Sequence, residues 1–193
     1  MPHRHNDLSS YTDGFAAAAR SAGDQLPPVE TWNPPYCGDI GLEIRADGRW
    51  WAGGTPFTRD ALVRLFARIL RKDADGRHYL VTPVEKVDVA VEIAPFLAVR
   101  LDVQGAGEQA QLAFVTNLGD GVSVDADHPL WIETDQVRGD PRPLVRVRGR
   151  LDALLTRSVF FDLAQHAVDD PVRGWGVWSS GAFWPLSARG AGS

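Results

Sequence analysis

The chain has 193 residues, 44% of them hydrophobic and 23% charged, with a formal net charge of −5. A chain of this length buries roughly 70% of its unfolded surface, in one large domain or two small ones, and its acidity excludes the basic excess that general nucleic-acid binding needs. Cys37 is the single cysteine, so no intrachain disulfide is possible and a reducing, cytoplasmic setting is expected. No stretch approaches the ~20 apolar residues of a membrane span. The N-terminal His3, Arg4, His5, Asn6 and Asp7 do not have the pattern of a secretory signal.

Residues 1–13 are predicted to be disordered, and residues 14–22 to form a short helix through their alanine run. Residues 25–35 carry four prolines and must be extended; Val29, Trp32 and Tyr36 would anchor this arm on the body. The first hairpin is predicted over residues 40–45 and 49–52, joined at Asp47-Gly48, a strong short-range hairpin signal. Thr58 is a candidate cap for a helix over residues 59–71. Leu62, Leu65, Phe66, Ile69 and Leu70 form its apolar face, and Arg64, Arg68, Arg71 and Lys72 the solvent face.

Strands are predicted next at residues 78–81 and 84–93, where Val87, Val89, Val91 and Ile93 alternate with Asp88, Ala90 and Glu92. Leu97, Val99, Leu101 and Val103 repeat the pattern, followed by strands at residues 112–116 and 122–124. A second hairpin spans residues 130–135 and 144–148. A second helix is predicted over residues 151–167, with a bend at Thr156-Arg157-Ser158, and a tryptophan-rich hairpin closes the fold.

Asp60-Ala61-Leu62 and Asp152-Ala153-Leu154, offset by 152 − 60 = 92 residues, suggest that one plan of strand, turn, strand and helix occurs twice. The absence of a βαβ rhythm points to an α+β fold. The expected architecture is two related roll-like units, each an antiparallel bent sheet with one main helix. The divisions are an arm at residues 1–26, units at 27–95 and 96–186, and a tail at 187–193.

Motifs for catalysis are weak. Asp120, Asp125, Asp127 and His128 fall within nine positions, and oxygen and nitrogen ligands so close would suit a divalent metal in a hydrolase with Glu85 as base. A hydrogen-bonded turn before His128-Pro129 is the favoured reading, because no HExxH or calcium-loop spacing accompanies them. Arg146, Arg148 and Arg150 alternate on one strand face, where Glu133 and Asp135 of the opposing strand would neutralise them. Ser179-Ser180-Gly181 lacks the first glycine of a nucleophile elbow. Adjacent Glu85 and Lys86 point opposite ways along a strand. Trp50, Trp51, Trp175, Trp178 and Trp184 exceed what one core face needs, which leaves arm packing, a homodimer interface or a ligand to cover the rest.

Several segments together resemble a known family: Trp32-Asn33-Pro34-Pro35-Tyr36-Cys37-Gly38-Asp39, Leu80-Val81-Thr82-Pro83-Val84-Glu85-Lys86-Val87, Thr116-Asn117-Leu118-Gly119-Asp120, Val124-Asp125-Ala126-Asp127-His128-Pro129-Leu130, Val147-Arg148-Gly149 and Gly176-Val177-Trp178-Ser179. Over about residues 27–186 the chain resembles the bacterial domain-of-unknown-function family 1285. The resemblance implies an α+β protein of two roll-like units and a suggested role in signalling; it carries across no catalytic or ligand-binding residue.

The resulting expectation is a non-enzymatic regulatory protein, with no catalytic residue, resident metal or cofactor. It would bind a small molecule or protein partner, neither nucleic acid nor membrane, with a homodimer as one option. The candidate ligand-binding residues surround the polar turns: Asn33, Tyr36, Asp39, Thr82, Glu85, Lys86, Asn117, Asp120, Asp127, His128 and Trp178, and a cleft between the units is their expected setting.

Overall fold

The computed structural model describes residues 8–187. The predicted disorder of residues 1–7 and the loose tail over residues 188–193 lie outside the described residues. The chain divides into two units, Met1–Ile93 and Ala94–Ser193.

The first unit opens with helix α1 (Thr12–Arg20), which buries Phe15, Ala16, Ala18 and Ala19. Residues 8–13 are therefore ordered, contrary to expectation: Leu8–Ser10 is a 3-10 turn and Thr12 already belongs to the helix. Phe15 is fully buried and meets Phe66 edge-on, with ring centroids 5.5 Å apart, so α1 is held by aromatic burial.

Strands β1 (Leu42–Ile44), β2 (Trp50–Ala52) and β3 (Thr55–Pro56) follow, then helix α2 (Asp60–Ala67) and strands β4 (Leu70–Lys72), β5 (His78–Val81) and β6 (Lys86–Val91). At Asp47-Gly48, Gly48 donates to the Arg45 carbonyl (2.8 Å) and adopts φ 77°. That is a three-residue loop with a left-handed glycine, rather than the two-residue turn that the Asp-Gly pair suggests. Helix α2 is shorter than predicted: its N-cap is Arg59 without a side-chain bond, and Arg68 is its C-cap. Leu70, Arg71 and Lys72 form β4, paired with Leu80, Tyr79 and His78 of β5. They continue the apolar spacing of α2 because both elements face the same core, which is why the pattern reads as one helix.

The second unit contains β7 (Phe96–Gln104), β8 (Gln111–Thr116), β9 (Gly121–Ser123), β10 (Leu130–Thr134), β11 (Pro141–Arg148) and β12 (Leu151–Leu155), then helix α3 (Arg157–Ala164) and a three-stranded sheet of β13 (Val168–Asp170), β14 (Gly174–Ser179) and β15 (Ala182–Pro185). The predicted helix start is corrected here. Leu151, Ala153 and Leu155 are buried in alternation with half-exposed Asp152 and Leu154, a period of two that belongs to a strand. Helix α3 begins only after Thr156, whose hydroxyl accepts the Val159 N–H at 3.4 Å. In the β14–β15 hairpin both loop residues, Ser180 and Gly181, have positive φ (53° and 73°), so the serine–glycine sequence forms a type I′ turn.

The repeat is real but lies in the strands. Each unit has a curled six-stranded sheet, ordered β3-β2-β1-β6-β5-β4 in the first and β10-β11-β12-β7-β8-β9 in the second. In both, the first three strands run from the centre to one edge and the next three return from the other edge. The first and sixth strands then meet as a parallel pair, β1 with β6 and β7 with β12. The remaining neighbours are antiparallel. The helices break the symmetry: α2 joins the third and fourth strands, whereas α3 follows the sixth. Asp60-Ala61-Leu62 thus opens a helix while Asp152-Ala153-Leu154 lies inside β12. The 92-residue offset does not relate equivalent elements.

His78 of β5 illustrates a consequence of burial. Desolvation, with Lys72 across the strand pair, lowers its pKa from 6.5 to about 4. An unfolded histidine takes up its proton as pH falls through 6.5, while the folded one resists until about 4. Stability is therefore lost over that interval as pH falls. Urea denaturation at pH 7 and pH 4.5 is expected to show a smaller acid loss in His78→Gln than in the parent. Equal losses in both would assign the acid sensitivity to other groups.

Candidate functional site

Strand alternation builds a polar face in the first unit. On β4, β5 and β6 the residues Leu70, Leu80 and Val87 are buried toward the core. The intervening positions place Arg71 opposite Tyr79, and Tyr79 opposite Asp88, on the other side of the sheet. Lys86, two residues before Asp88, shares that side. The chain segment before β1 then runs alongside: Tyr36 forms a parallel bridge with Lys86, fixed by Lys86 N to Pro35 O (3.1 Å) and Cys37 N to Lys86 O (2.7 Å).

The side chains on this face form one network. The Asp73 carboxylate accepts from Arg71 Nε (2.6 Å) and from Lys86 Nζ (2.9 Å). Burial alone would raise its pKa, but hydrogen bonds and charge from Arg71 and Lys86 hold it below the usual carboxylate range. The Lys86 ammonium also lies 4.3 Å from the centroid of the Tyr79 ring. Tyr79 donates to Asp75 Oδ2 (2.7 Å); burial and that bond push its phenol up to about 12. Asp88, 8% exposed, accepts at Oδ2 from both the Tyr36 hydroxyl and Arg77 Nη2. The bond to Asp88 raises the Tyr36 phenol, with desolvation adding. Tyr36 itself remains 51% exposed.

Arg71 is the clamp behind this face. It is 7% exposed, and its Nη1 donates to the carbonyls of Val29 (2.6 Å) and Trp32 (2.8 Å). Arg68 donates to the carbonyls of Gly23 and Gln25. The predicted arm is thus held by guanidinium groups read from sequence as a solvent-facing helical stripe; Arg68 is the C-cap of α2 and Arg71 lies in β4.

The other candidates of this unit serve nearby turns. Asn33 is exposed, and exposed Asp39 accepts the Gly41 N–H at 2.7 Å. Thr82 is buried, and its hydroxyl accepts the N–H groups of Val84 (3.3 Å) and Glu85 (3.1 Å). Glu85 points away from Lys86 toward α1, where a methyl group on Gly14 would sit 3.2 Å from its Oε1. Desolvation raises its pKa.

In the second unit the candidates occupy separate local structures. Asn117 pairs twice with Leu97, donating its N–H to the carbonyl (2.8 Å) and accepting the Leu97 N–H at Oδ1 (3.0 Å). Asp120 interacts with the Thr116 hydroxyl (3.4 Å) and Arg148 Nη1 (3.5 Å). Asp125 Oδ1 accepts the N–H groups of Asp127 (3.0 Å) and His128 (2.9 Å) and lies 3.1 Å from His128 Nδ1. Desolvation would raise its pKa, but these bonds lower it on balance. Trp178 packs edge-on against Phe183, centroids 5.4 Å apart, with the Arg173 guanidinium 5.3 Å from its ring.

Asp120, Asp125, Asp127 and His128 therefore do not converge on one point. Among the described residues no group of three or more histidine, cysteine, aspartate or glutamate side chains is placed to hold a metal ion. The hydrolase geometry is not assembled, because Asp125 and His128 pair with each other and Asp120 turns to Arg148. The arginine ladder also differs from expectation. Glu133 is opposite Arg142, Asp135 pairs with Arg142, Arg146 with Asp152, and Arg148 with Asp120. The strand register and a bulge between Arg146 and Arg148 shift the partners.

Sequence reasoning found Tyr36 and Lys86 but missed Arg71, Asp73, Asp75, Arg77, Tyr79 and Asp88 as their neighbours. The available signal was parity: Lys86 and Asp88 share one strand face, and the Asp73-Ala74-Asp75-Gly76 turn joins two strands once Leu70 and Arg71 are removed from the helix.

No curated protein matches the chain. No helix among the described residues is long and apolar enough to cross a membrane. A DUF1285 family protein from Silicibacter pomeroyi DSS-3 is 42% identical in sequence; the match covers 91% of this chain and 95% of that one, with a TM-score of 0.83. Another from Shewanella baltica OS155 is 27% identical, over 66% of this chain and 92% of that one, with a TM-score of 0.50. The DUF1285 N-terminal domain, a domain of unknown function, matches residues 27–94, and the C-terminal domain of this protein of unknown function matches residues 95–186. The chain accordingly belongs to the DUF1285 family.

Proposed function

We propose that this protein is a non-enzymatic binding protein with a regulatory or signalling role in the cytoplasm, and that it recognises a small molecule or protein partner through the polar face of its first unit. The observation that carries this reading is the network of Tyr36, Arg71, Asp73, Arg77, Tyr79, Lys86 and Asp88. Its donors and acceptors are oriented by one another, and half-exposed Tyr36 stands over them. Its charges are paired by hydrogen bonds. Such pairing holds groups in position for recognition rather than freeing one of them as an acid, base or nucleophile. Cys37, the single cysteine of the chain, suits a reducing compartment.

A thermal-shift screen of a metabolite library tests the proposal. A hit is expected to lose about tenfold or more in affinity in Lys86→Ala, since a charge-assisted hydrogen bond is worth roughly 1.5–3 kcal/mol. His128→Ala, in the second unit, serves as the comparison. If Lys86→Ala leaves the affinity of every hit unchanged, the proposed face is not the binding site.

A further inference from the structure

Tyr36, Tyr79 and Asp88 form a small cage with a cation already in it. The two rings stand edge to face, with centroids 6.2 Å apart and planes at 81°. The guanidinium carbon of Arg77 lies 5.7 Å from the Tyr36 centroid and 5.5 Å from that of Tyr79. Its Nη2 donates to Asp88 Oδ2, the oxygen that also accepts the Tyr36 hydroxyl. Electron-rich ring faces beside a largely buried carboxylate attract and orient cations.

The occupant is held differently from the other two cations of the face. Arg71 is buried, and the side chain of Lys86 is 19% exposed with its ammonium bonded to Asp73. The side chain of Arg77 is 56% exposed and reaches in from the turn between β4 and β5. Its backbone is anchored independently, by Arg77 N to Asp75 Oδ1 (2.9 Å) and Asp73 N to Arg77 O (3.0 Å). The side chain can therefore leave without unmaking the turn.

We propose that this cage is a recognition site for the guanidinium or ammonium group of a ligand, with Arg77 as its displaceable resting occupant. The inference rests on the recognition role of the same face and names the chemistry of its ligand. A tethered side chain competes at an effective concentration of about millimolar, so an external cation binds the parent chain weakly and binds a chain lacking the Arg77 guanidinium more tightly.

Isothermal titration with N-acetyl-arginine amide tests this, and N-acetyl-lysine amide separates a guanidinium preference from a general cation preference. Arg77→Ala is expected to bind at least one probe about tenfold or more tightly than the parent, and Arg77→Ala combined with Asp88→Asn to lose that gain. Arg77→Gln keeps the stem of the side chain and replaces the alanine variant should that one fail to fold. In the unsubstituted chain, the Arg77 Nε–H signal in side-chain NMR should move as the arginine probe is added. A folded Arg77 variant that binds neither probe better than the parent overturns the proposal, as does an Arg77 signal that stays fixed throughout the titration. If that happens while a library hit still depends on Lys86, only the cage is refuted; loss of both results refutes the recognition face as well.

Discussion

Replacing Arg71 with methionine is expected to lower the stability of the chain by about 3 kcal/mol in urea denaturation followed by tryptophan fluorescence. Removing one partner of a buried pair costs about 3–5 kcal/mol. The lower end applies because Asp73 keeps Lys86 and its side chain is 20% exposed. The loss has two sources in addition to the ion pair: the carbonyls of Val29 and Trp32 lose their donor, and the arm they belong to loses one of its two guanidinium clamps. Faster proteolysis in residues 21–35 should accompany the lower midpoint. A loss below about 1 kcal/mol, the net value of one ordinary hydrogen bond, would show that Arg71 does not hold the arm.

The second large effect is expected at Gly176. A methyl group there would lie 2.5 Å from the Trp184 carbonyl oxygen and 2.7 Å from two ring atoms of Phe183. The nearest obstacle is backbone, so no side-chain rotation relieves it; β15, paired to β14 through Gly176 opposite Pro185, must shift. Overpacking of this kind costs about 1–3 kcal/mol, and Gly176→Ala is expected near the upper end by thermal and urea denaturation. Gly181→Ala meets no atom within 4 Å but forces alanine to φ 73°. It serves as the control for backbone strain without collision. Full stability in Gly176→Ala would mean that β15 does not pack as closely as described.

Some elements are legible in the sequence and others are not. The alternation of Val87, Val89 and Val91 located β6, and residues 78–81 match β5 residue for residue. The Asp47-Gly48 pair located the first hairpin, although the loop holds three residues. Arg71 reads as helical because Ile69 and Leu70 continue the three- and four-residue spacing of α2 while belonging to the turn and strand beyond it. Apolar spacing reports which side faces the core, and here a helix and a strand share that core. The same ambiguity makes Leu151, Ala153 and Leu155 read as a helix start.

The candidate site divides in the same way. Tyr36 follows Pro35 and Lys86 closes the turn around Pro83, so both are visible in the sequence as polar or aromatic residues near prolines. Asp73, Arg77, Tyr79 and Asp88 join them only through the register of β4, β5 and β6, which no local pattern encodes. The acidic cluster from Asp120 to His128 was conspicuous because its members are close in sequence. In the fold, that closeness is used for the hydrogen bonds of a turn around Asp125.

The polar face of the first unit is the proposed recognition surface. Mapping by ¹H–¹⁵N NMR, with the strongest hit of the metabolite screen titrated into the intact chain, tests it most directly. Shifts should concentrate at Tyr36, Arg77, Tyr79, Lys86 and Asp88 and disappear in Lys86→Ala. Shifts confined to the turns around Asp120, Asp125 and His128, with Tyr36 and Lys86 unmoved, would contradict it.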